Sequence, residues 1–350
     1  ILDISWYFSG VENFKKILIR NIIIKVVTII LIVMFVKTSN DVWIYTLIMA
    51  LSYFIGNLIL WYRLKDEIDF SVPKIEEIKI HFLPNLKLFV AVIAVSIYTM
   101  MDKIMIESLS NVTELGYYEY ASKINYVQVL IISAFGTVML PRMSNMVEKE
   151  ENEKVIANIN KSLQFIMFLS FALSFGIIVV SETFVPIYLG NNFTKTTILL
   201  QILCISALFV SWGNVIRTQY LIPKEKDNIY VISVILGAIV NFIINSILIP
   251  RFQAVGACIA TVIAEATVML YQSIRVKKEI SLINNIKKVF PFFIKAIIMV
   301  LIIYPIKFLD INKILIVILQ VLIGGTIYLV LNTRYICNII KVRKLMEKKG

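Results

Sequence analysis

Ten long apolar segments alternate with polar gaps along this chain. A helix needs about 20 residues to cross a hydrocarbon core about 30 Å thick, and most of the segments reach that length. Inside hydrocarbon every backbone polar group must be satisfied within the protein, which allows only helices or closed barrels. Barrel strands would be about 10 residues long with alternating polarity. The sequence therefore predicts an all-α integral membrane protein with about ten transmembrane helices, at residues 21–36, 43–62, 85–106, 124–140, 163–181, 196–216, 229–249, 254–274, 290–309 and 314–332.

Basic residues are concentrated in every second gap between these segments. One set of gaps holds 25 of the 35 Lys and Arg residues, whereas the opposite set holds five. Because basic loops stay on the cytoplasmic side of a membrane, the first set is predicted to be cytoplasmic. The C-terminus belongs to that set. The basic gaps are residues 10–20, 63–84, 141–162, 217–228, 275–289 and 333–350.

The composition agrees with a membrane protein. The chain is 59% hydrophobic with a mean hydropathy of +0.84, outside the range of soluble domains. A formal net charge of +12 could indicate a nucleic-acid partner. Here the sidedness of the loops already explains the charge, so no nucleic acid is predicted. The basic tail at 343–349 is expected to contact anionic lipid headgroups.

The sequence carries none of the motifs that bring catalytic chemistry. It has one histidine, His81, and neither a phosphate-binding loop nor a dinucleotide-binding glycine motif. No cluster of acidic residues suggests a metal site. We therefore predict a protein that is not an enzyme and that needs no cofactor or metal. A membrane glycosyltransferase that uses one buried carboxylate remains an alternative.

Two longer basic gaps suggest how the spans are grouped. The first nine residues are similar to the aromatic end of an earlier span, so the chain is expected to extend further at its N-terminus. Six spans lie between the two gaps, which is typical of the bundles that build transporters. The predicted regions are a partial first lobe at 1–62, a linker at 63–84, a complete six-helix lobe at 85–275, a linker at 276–289, a helix pair at 290–332 and a basic tail at 333–350.

Polar residues inside the spans are the candidates for function. An ionisable residue at the centre of a span costs at least about 2.5 kcal/mol, so it usually faces a cavity or a partner. Glu265 lies at the middle of span 254–274, either as a cation or proton site or as a tie between helices. Asn241 and Asn245 are one turn apart on one helix face. They either line a cavity or form hydrogen bonds between helices.

The basic residues near the cytoplasmic ends of the spans are candidates for binding an anion. Arg217 follows Asn214 by about one turn, and its planar guanidinium suits a diphosphate. Lys25 and Lys295 lie a turn or more inside their spans. For all three basic residues the alternative is that the side chain extends along the helix to reach the headgroups.

Asp102 and Lys103 lie near the outer end of span 85–106. Adjacent residues point apart on a helix, so the two side chains are expected to have separate partners. An ion pair between helices is the simpler explanation, and a role in gating or ion coupling is the functional one.

Seven stretches of the sequence together resemble the polysaccharide flippases of the Wzx type. They match that family's fourth helix, the exit of its seventh, the inner end of its eighth, the connection from its tenth to its eleventh, and its paired eleventh and twelfth helices. The stretches are Asp3–Glu12 with Phe14–Lys16 and Arg20–Lys25, Asp102–Ile106, Leu115–Lys123, Leu140–Ser144, Arg217–Pro223, Asn241–Asn245 with Leu248–Arg251, and Val255–Glu265.

This resemblance implies the fold of the multidrug/oligosaccharidyl-lipid/polysaccharide (MOP) exporter superfamily, with two six-helix lobes around a cavity. It also implies a place in a bacterial or archaeal cytoplasmic membrane. The implied activity is alternating-access movement of undecaprenyl-diphosphate-linked oligosaccharide to the outer leaflet, driven by H⁺ or Na⁺. Implied partners are membrane lipids, a polysaccharide polymerase and export proteins.

The candidate residues divide into two groups under this interpretation. The substrate or cavity group is Arg217, Lys25, Asn214, Asn241, Asn245 and Lys295. The coupling-ion or gating group is Glu265, Asp102 and Lys103.

Three other functions are weighed against the flippase. A cation-coupled drug antiporter of the same superfamily is disfavoured because buried basic residues outnumber buried acids. A membrane glycosyltransferase or polymerase of the same pathway would be expected to have a large outer loop, and every outer gap here is under about 20 residues. A membrane scaffold without transport activity remains open.

Overall fold

The computed structural model describes residues 3–10, 14–64 and 100–338, together with a few positions between 74 and 82. These residues are predominantly helical, and the described part of the chain contains no β-strand. Nine of its helices are long and apolar enough to cross a membrane. The predicted all-α integral membrane fold is therefore confirmed. Most of the predicted span 85–106, most of the linker 63–84 with His81, and the tail beyond residue 338 lie outside the described residues.

The chain divides into two compact units, Ile1–Lys87 and Leu88–Gly350. In the first unit a short helix α1 (Ser5–Gly10) packs on α2 (Phe14–Phe35), and α2 packs against α3 (Val42–Leu64). Thr28 on α2 donates a hydrogen bond to Ser52 on α3 at 2.7 Å. A small core of Ile4, Phe8, Leu60 and Leu64 closes one end of this unit.

The second unit contains eight helices in its described part. Their order is α4 (100–109), α5 (Val112–Glu148), α6 (Asn152–Leu189), α7 (Thr194–Ile216), α8 (Asp227–Phe252), α9 (Ala254–Arg275), α10 (Leu282–Ile303) and α11 (Lys313–Leu331). A π-helical turn, Arg217–Leu221, continues α7. Helix α7 packs against α5, α6 and α9, and α8 packs along α9.

The helix pair α10–α11 packs on α6 in this same unit. Helix α10 begins at Leu282, so the end of the predicted linker 276–289 is helical. Ser281 starts the helix, since its side chain accepts a hydrogen bond from the Asn284 backbone N–H. The linker is thus shorter than the hydropathy pattern indicated, because polar helical turns carry no hydropathy signal.

Helices α5 and α6 are much longer than the apolar segments that predicted them. Each has nearly 40 residues, which corresponds to a length of about 57 Å, against a hydrocarbon core of about 30 Å. The basic gap 141–162 is therefore mostly helical. It consists of the end of α5 and the start of α6, which both extend beyond the length of a hydrocarbon core. The reversal falls at Glu150, which adopts a positive φ of 56°.

Two apolar clusters hold the second unit together at opposite ends of its helices. One contains Tyr118, Leu199 and Ala254, near the starts of α5, α7 and α9. The other contains Met143, Ile159 and Tyr220, near the opposite ends, and extends onto α10 and α11. Buried polar residues lie between them. Gln128, for example, donates to Asn125 at 2.6 Å and accepts from Ser174 at 3.0 Å.

The α8–α9 hairpin is unusually tight. Gln253 alone connects the two helices and has a φ of 55°. At Gly256 the helices approach so closely that a Cβ atom would lie 2.5 Å from the backbone oxygen of Leu248. Only glycine fits at this position without moving one helix.

We predict that Gly256→Ala destabilises the protein by about 1–3 kcal/mol, because a backbone contact cannot relax as a flexible side chain can. The apparent melting temperature in detergent measures this effect. Gly176→Ala is the matched control, since nothing lies within 4 Å of its added Cβ, and alanine is favoured in helices. Equal melting temperatures for the two variants would contradict the prediction.

An ionic cluster joins the α7–α8 and α9–α10 connections at the basic side. Glu279 accepts hydrogen bonds from Lys224 at 2.9 Å and Lys226 at 3.1 Å, and Lys226 also donates to the hydroxyl of buried Tyr220 at 2.7 Å. Burial alone would raise the pKa of Glu279. Hydrogen bonds from Tyr220 and the two lysines outweigh burial and hold that pKa at about 2.

This pKa shift predicts a loss of stability in acid. Because the folded pKa of Glu279 lies below its unfolded value, the stabilisation is complete above about pH 4.5 and disappears as the pH falls toward 2. Glu279 is partly exposed, so the contribution is about 1 kcal/mol or less. Glu279→Gln should melt below wild type above about pH 4.5, and the two should converge as the pH falls toward 2, whereas the exposed-site control Glu153→Gln should match wild type throughout. An identical acid profile for Glu279→Gln and wild type would refute the assignment.

Candidate functional site

The carboxylate of Asp102 lies at the centre of a buried polar cluster in the second unit. Asp102 is 7% exposed. Its Oδ1 accepts hydrogen bonds from the amides of Asn241 at 2.9 Å and Asn245 at 2.7 Å. Its Oδ2 lies 2.8 Å from the hydroxyls of Tyr118 and Thr261. Neutral groups from α5, α8 and α9 thus surround one carboxylate of α4. We call these five residues together the Asp102 cluster.

The local sequence explains why these side chains converge. Asn241 and Asn245 are one helical turn apart, so they share a face of α8, and Asn245 also donates to Asn241 at 2.9 Å. The tight α8–α9 turn brings Thr261 against that face. The two asparagines therefore share one face of α8 as predicted, and their hydrogen bonds to Asp102 join α8 to α4.

Lys103 has a different partner from Asp102. Its ammonium lies 2.7 Å from the carboxylate of Glu119 on α5, and both side chains are partly exposed. The two adjacent residues of α4 thus have separate partners: Asp102 accepts hydrogen bonds from neutral groups, and Lys103 forms an ion pair with Glu119. Within the described part of the chain, the side chains that donate hydrogen bonds to Asp102 are all neutral.

A cavity of about 220 Å³ opens beside the Asp102 cluster, and we call it the upper cavity. Asp102, Tyr118, Asn241 and Thr261 form part of its wall. Further polar lining comes from Ser122, Asn125 and Ser206. A cavity with this many polar groups can hold several water molecules.

A second cavity of about 240 Å³, the lower cavity, lies nearer the basic ends of the same helices. Arg217 lines it, donates a hydrogen bond to the Tyr230 hydroxyl at 3.4 Å and stacks 5.4 Å from the centre of that ring. Asn214 and Gln272 are buried in its wall. Gln272 donates to Ser233 at 2.9 Å, and no described residue donates a hydrogen bond to its carbonyl oxygen.

The π turn positions Arg217 at this cavity. Such turns are rare and are frequent at functional sites. Helix α5 approaches the turn at Gly136, where a Cβ atom would lie 2.5 Å from the Asn214 side-chain oxygen and 3.1 Å from the Thr218 hydroxyl. A glycine on α5 thus leaves room for the Asn214 amide.

Glu265 lines both cavities. It is half-buried at the middle of α9, one turn after Thr261. The structure therefore brings six of the predicted residues to two adjacent cavities, namely Asp102, Lys103, Asn214, Arg217, Asn241 and Glu265, with Asn245 bound to Asp102 behind them.

Two predicted cavity residues are not among those that line the two cavities of the second unit. Lys295 on α10 donates to buried Asn332 at 3.1 Å, within the α10–α11 pair, and does not line either cavity. Its ammonium is thus held between helices that pack on α6. Lys25 is exposed on α2, in the first unit.

Three site residues escaped the sequence analysis: Tyr118, Thr261 and Gln272. Tyr118 lies in a polar gap of the sequence, and tyrosines are common at membrane interfaces, so its position alone gives no sign of a buried partner. Thr261 and Gln272 lie on the Glu265 face of α9, at helical spacing from it. That periodicity was the signal that could have revealed them.

The site suits binding more than bond-making chemistry. A buried carboxylate with amide and hydroxyl oxygens around it can accept a proton. If the amides rotate, the same oxygens can ligate a small hard cation. In the described part of the chain no three His, Cys, Asp or Glu side chains are grouped in a way that could hold a metal ion.

Comparison with known proteins gives both sequence and fold matches. Residues 2–147 match the model of a family described as polysaccharide biosynthesis protein. A Shigella dysenteriae protein named for O-antigen transport is 23% identical over 275 residues, covering 78% of this chain and 68% of that protein. A Haloferax volcanii protein named as a flippase in low-salt glycan biosynthesis is 28% identical over 169 residues, covering 48% of this chain and 36% of that protein.

A solved structure of the lipid II flippase MurJ, in an inward closed conformation, has a similar fold. It aligns with a TM-score of 0.74 and 19% identity, over 86% of this chain and 64% of the MurJ chain. This chain therefore spans about one third to two thirds of the length of the proteins it matches. Together the matches confirm the predicted resemblance to the Wzx-type flippases and the MOP fold.

The Asp102 cluster generates a stability prediction. We expect Tyr118→Phe to destabilise the protein by about 1–3 kcal/mol, because it leaves a buried carboxylate one donor short. Glu119→Gln, at the adjacent position, removes only a partly exposed ion pair with Lys103 and should cost less than about 1 kcal/mol. Unfolding in mixed detergent micelles compares the two. A smaller loss for Tyr118→Phe than for Glu119→Gln would show that the cluster does not stabilise the unit.

Proposed function

We propose that this chain, as a Wzx-type member of the MOP exporter superfamily, moves a lipid-linked glycan across the membrane. The observation that carries the proposal is a cationic and amide-lined cavity within the membrane-spanning helices of a chain whose relatives are named as glycan flippases and transporters. The proposed cargo is undecaprenyl-diphosphate-linked oligosaccharide. The proposed event is transport rather than catalysis, by alternating access in a cytoplasmic membrane whose inner side faces the basic gaps.

Moving a sugar diphosphate through hydrocarbon requires cationic and amide side chains, which is what the lower cavity provides. A sugar diphosphate cannot cross about 30 Å of hydrocarbon unaided, because burying its unpaired charge and hydroxyls is too costly. Arg217 offers a planar fork that suits two phosphate oxygens. The amide of Asn214 adds a donor at the same cavity. A cavity of about 240 Å³ is smaller than a typical small-molecule site of 300–1,000 Å³, so we place only the diphosphate near Arg217.

The proposed driving force is a cation gradient that acts through the Asp102 cluster. Asp102 is an acid in a spanning helix, and its hydrogen-bond partners are neutral. Binding or release of one cation would therefore change the net charge of the Asp102 cluster. Residues of this kind commonly mark ion or proton paths. The sequence shows no phosphate-binding loop through which the chain could hydrolyse ATP.

The test is movement of a fluorescent lipid-diphosphate sugar by the full-length protein in liposomes. We expect Arg217→Ala to slow this movement about 10–100-fold, since a charge-assisted hydrogen bond contributes about 1.5–3 kcal/mol. Arg275→Ala is the matched control. Arg275 also contacts a tyrosine, donating to Tyr271 at 3.1 Å, but it is exposed and lines neither cavity.

Several outcomes would contradict the proposal. No movement by the wild-type protein, with or without a cation gradient, would exclude the flippase function. Equal slowing by Arg217→Ala and Arg275→Ala would return Arg217 to a headgroup-binding role. Melting temperatures of both variants should match wild type, which separates lost transport from lost folding.

A further inference from the structure

The α5–α6 hairpin carries a cavity on the basic side that the proposed transport does not use. Its volume is about 520 Å³, which is within the range of ordinary small-molecule sites and more than twice that of the upper or the lower cavity. The end of α5 supplies one wall and the start of α6 supplies the other. We call this cavity the hairpin groove.

A contact between Asn158 and Met146 shows how the two helices align along the groove. The Asn158 amide donates to the Met146 sulfur at 3.4 Å, and both residues line the groove. Helices α5 and α6 run in opposite directions. Arg142, four residues before Met146, therefore lies at nearly the level of Lys161, three residues after Asn158. With a rise of 1.5 Å per residue, both lie about 4.5–6 Å from this contact, on the side of the membrane. We call this part of the groove its deep end and the opposite part its mouth.

The deep end of the groove lies at the expected depth of the lipid headgroups. Arg142 follows the apolar segment 124–140 by two residues, and Lys161 precedes the apolar segment 163–181 by two residues. Basic side chains just outside a hydrocarbon core extend their charged ends to the level of the headgroups. Two cations on facing helices thus stand at one depth, at the boundary between hydrocarbon and water.

The charges of the groove favour an anion. Both Arg142 and Lys161 are exposed, so a ligand can reach them. The ion pairs formed among the described residues include neither of these two cations. At the mouth, Lys154 lies 2.7 Å from the carboxylate of Glu151, so those two charges offset each other. The deep end therefore has two positive charges that a ligand can neutralise, and phosphate is the anion that lipids supply at this depth.

We propose that the hairpin groove binds the headgroup of an anionic glycerophospholipid, with phosphatidylglycerol as the simplest case, from the leaflet on the basic side. The phosphate lies between Arg142 and Lys161, where a guanidinium fork and an ammonium both donate to its oxygens. The headgroup hydroxyls reach the amides of Asn145 and Asn158, which line the middle of the groove. The acyl chains leave the deep end and stay in the bilayer.

The position of the cationic pair favours a lipid over a soluble phosphate. Acyl chains already hold a lipid phosphate at this level, whereas a soluble phosphate loses its full translational freedom on binding. A zwitterionic headgroup fits less well, because its terminal ammonium would approach Lys154 at the mouth. Glu151 offers that ammonium little attraction, since it is already paired with Lys154.

The bound phosphate would join two helices that position the transport cavities. Helix α5 lines both the upper and the lower cavity, and α6 is the helix on which the α10–α11 pair packs. A phosphate between Arg142 on α5 and Lys161 on α6 therefore stabilises the hairpin at its basic end. The inference goes beyond the proposed function, since it assigns a second ligand whose binding does not depend on what the protein transports.

Lipid binding is tested with the purified full-length protein in detergent, by native mass spectrometry and by melting temperature. Phosphatidylglycerol should raise the melting temperature and bind at least tenfold more tightly than phosphatidylethanolamine or phosphatidylcholine. The double variant Arg142→Gln with Lys161→Gln should bind phosphatidylglycerol at least tenfold more weakly, because charge-assisted hydrogen bonds are lost. Lys277→Gln with Lys278→Gln is the matched control, since it removes two exposed charges on the same side and should bind like wild type.

Two results of this experiment would overturn the proposal. Equal weakening by the two double variants would mean that the general surface charge, not the groove, attracts the lipid. Equal affinity for glycerol 3-phosphate and phosphatidylglycerol would mean that the ligand is a soluble phosphate. Melting temperatures without added lipid show whether each variant is folded.

A second measurement leaves the cationic pair unchanged. Benzoylphenylalanine in place of Ala157, which lines the groove and is exposed, should cross-link phosphatidylglycerol in liposomes of that lipid and phosphatidylcholine. Glu153 is the control position, exposed on the same helix and outside the groove. We expect about tenfold more phosphatidylglycerol adduct from position 157, because a bound lipid is present there at a high local concentration. Equal yields from the two positions would refute the groove as the site.

Discussion

Polar groups in the spanning helices must find partners within the protein, because hydrocarbon offers none. This constraint accounts for the helical backbone and for the apolar surfaces of α2, α3, α8 and α11. It also accounts for the second unit, where buried amides, hydroxyls and one carboxylate are drawn together between two apolar clusters. The Asp102 cluster shows this constraint most clearly, since four donors from three helices surround a single acid.

The same constraint links structure to transport. Side chains that satisfy one another hold helices together, and polar side chains of a spanning helix usually face a cavity or a partner. In the second unit both conditions occur along one helix face of α9, where Thr261 contacts Asp102 and Glu265 lines both cavities. The tight glycine contacts at Gly136 and Gly256 keep the helices close enough for these short side chains to meet.

Hydropathy predicted the spans well and their ends poorly. The apolar segment 124–140 lies inside α5, which continues to Glu148, because a helix extends beyond the bilayer wherever its own hydrogen bonds allow. Asn125 and Gln128 interrupt that apolar segment, yet they lie in a buried network with Ser174. Lys295 shows the reverse case: its position in a span suggested a cavity, whereas its ammonium is bound by Asn332 between α10 and α11.

The sequence by itself determined the helical membrane class, the predicted sidedness, the family resemblance and most of the polar candidates. These follow from local chemistry, since length, hydropathy and charge act residue by residue along the chain. Only the tertiary structure decided which candidates share a site. Asp102 and Asn245 are far apart in sequence and 2.7 Å apart in space, because helix packing sets which faces meet. Tyr118 became a site residue through that packing alone, whereas Thr261 and Gln272 share a helix face with Glu265 that the sequence already marks.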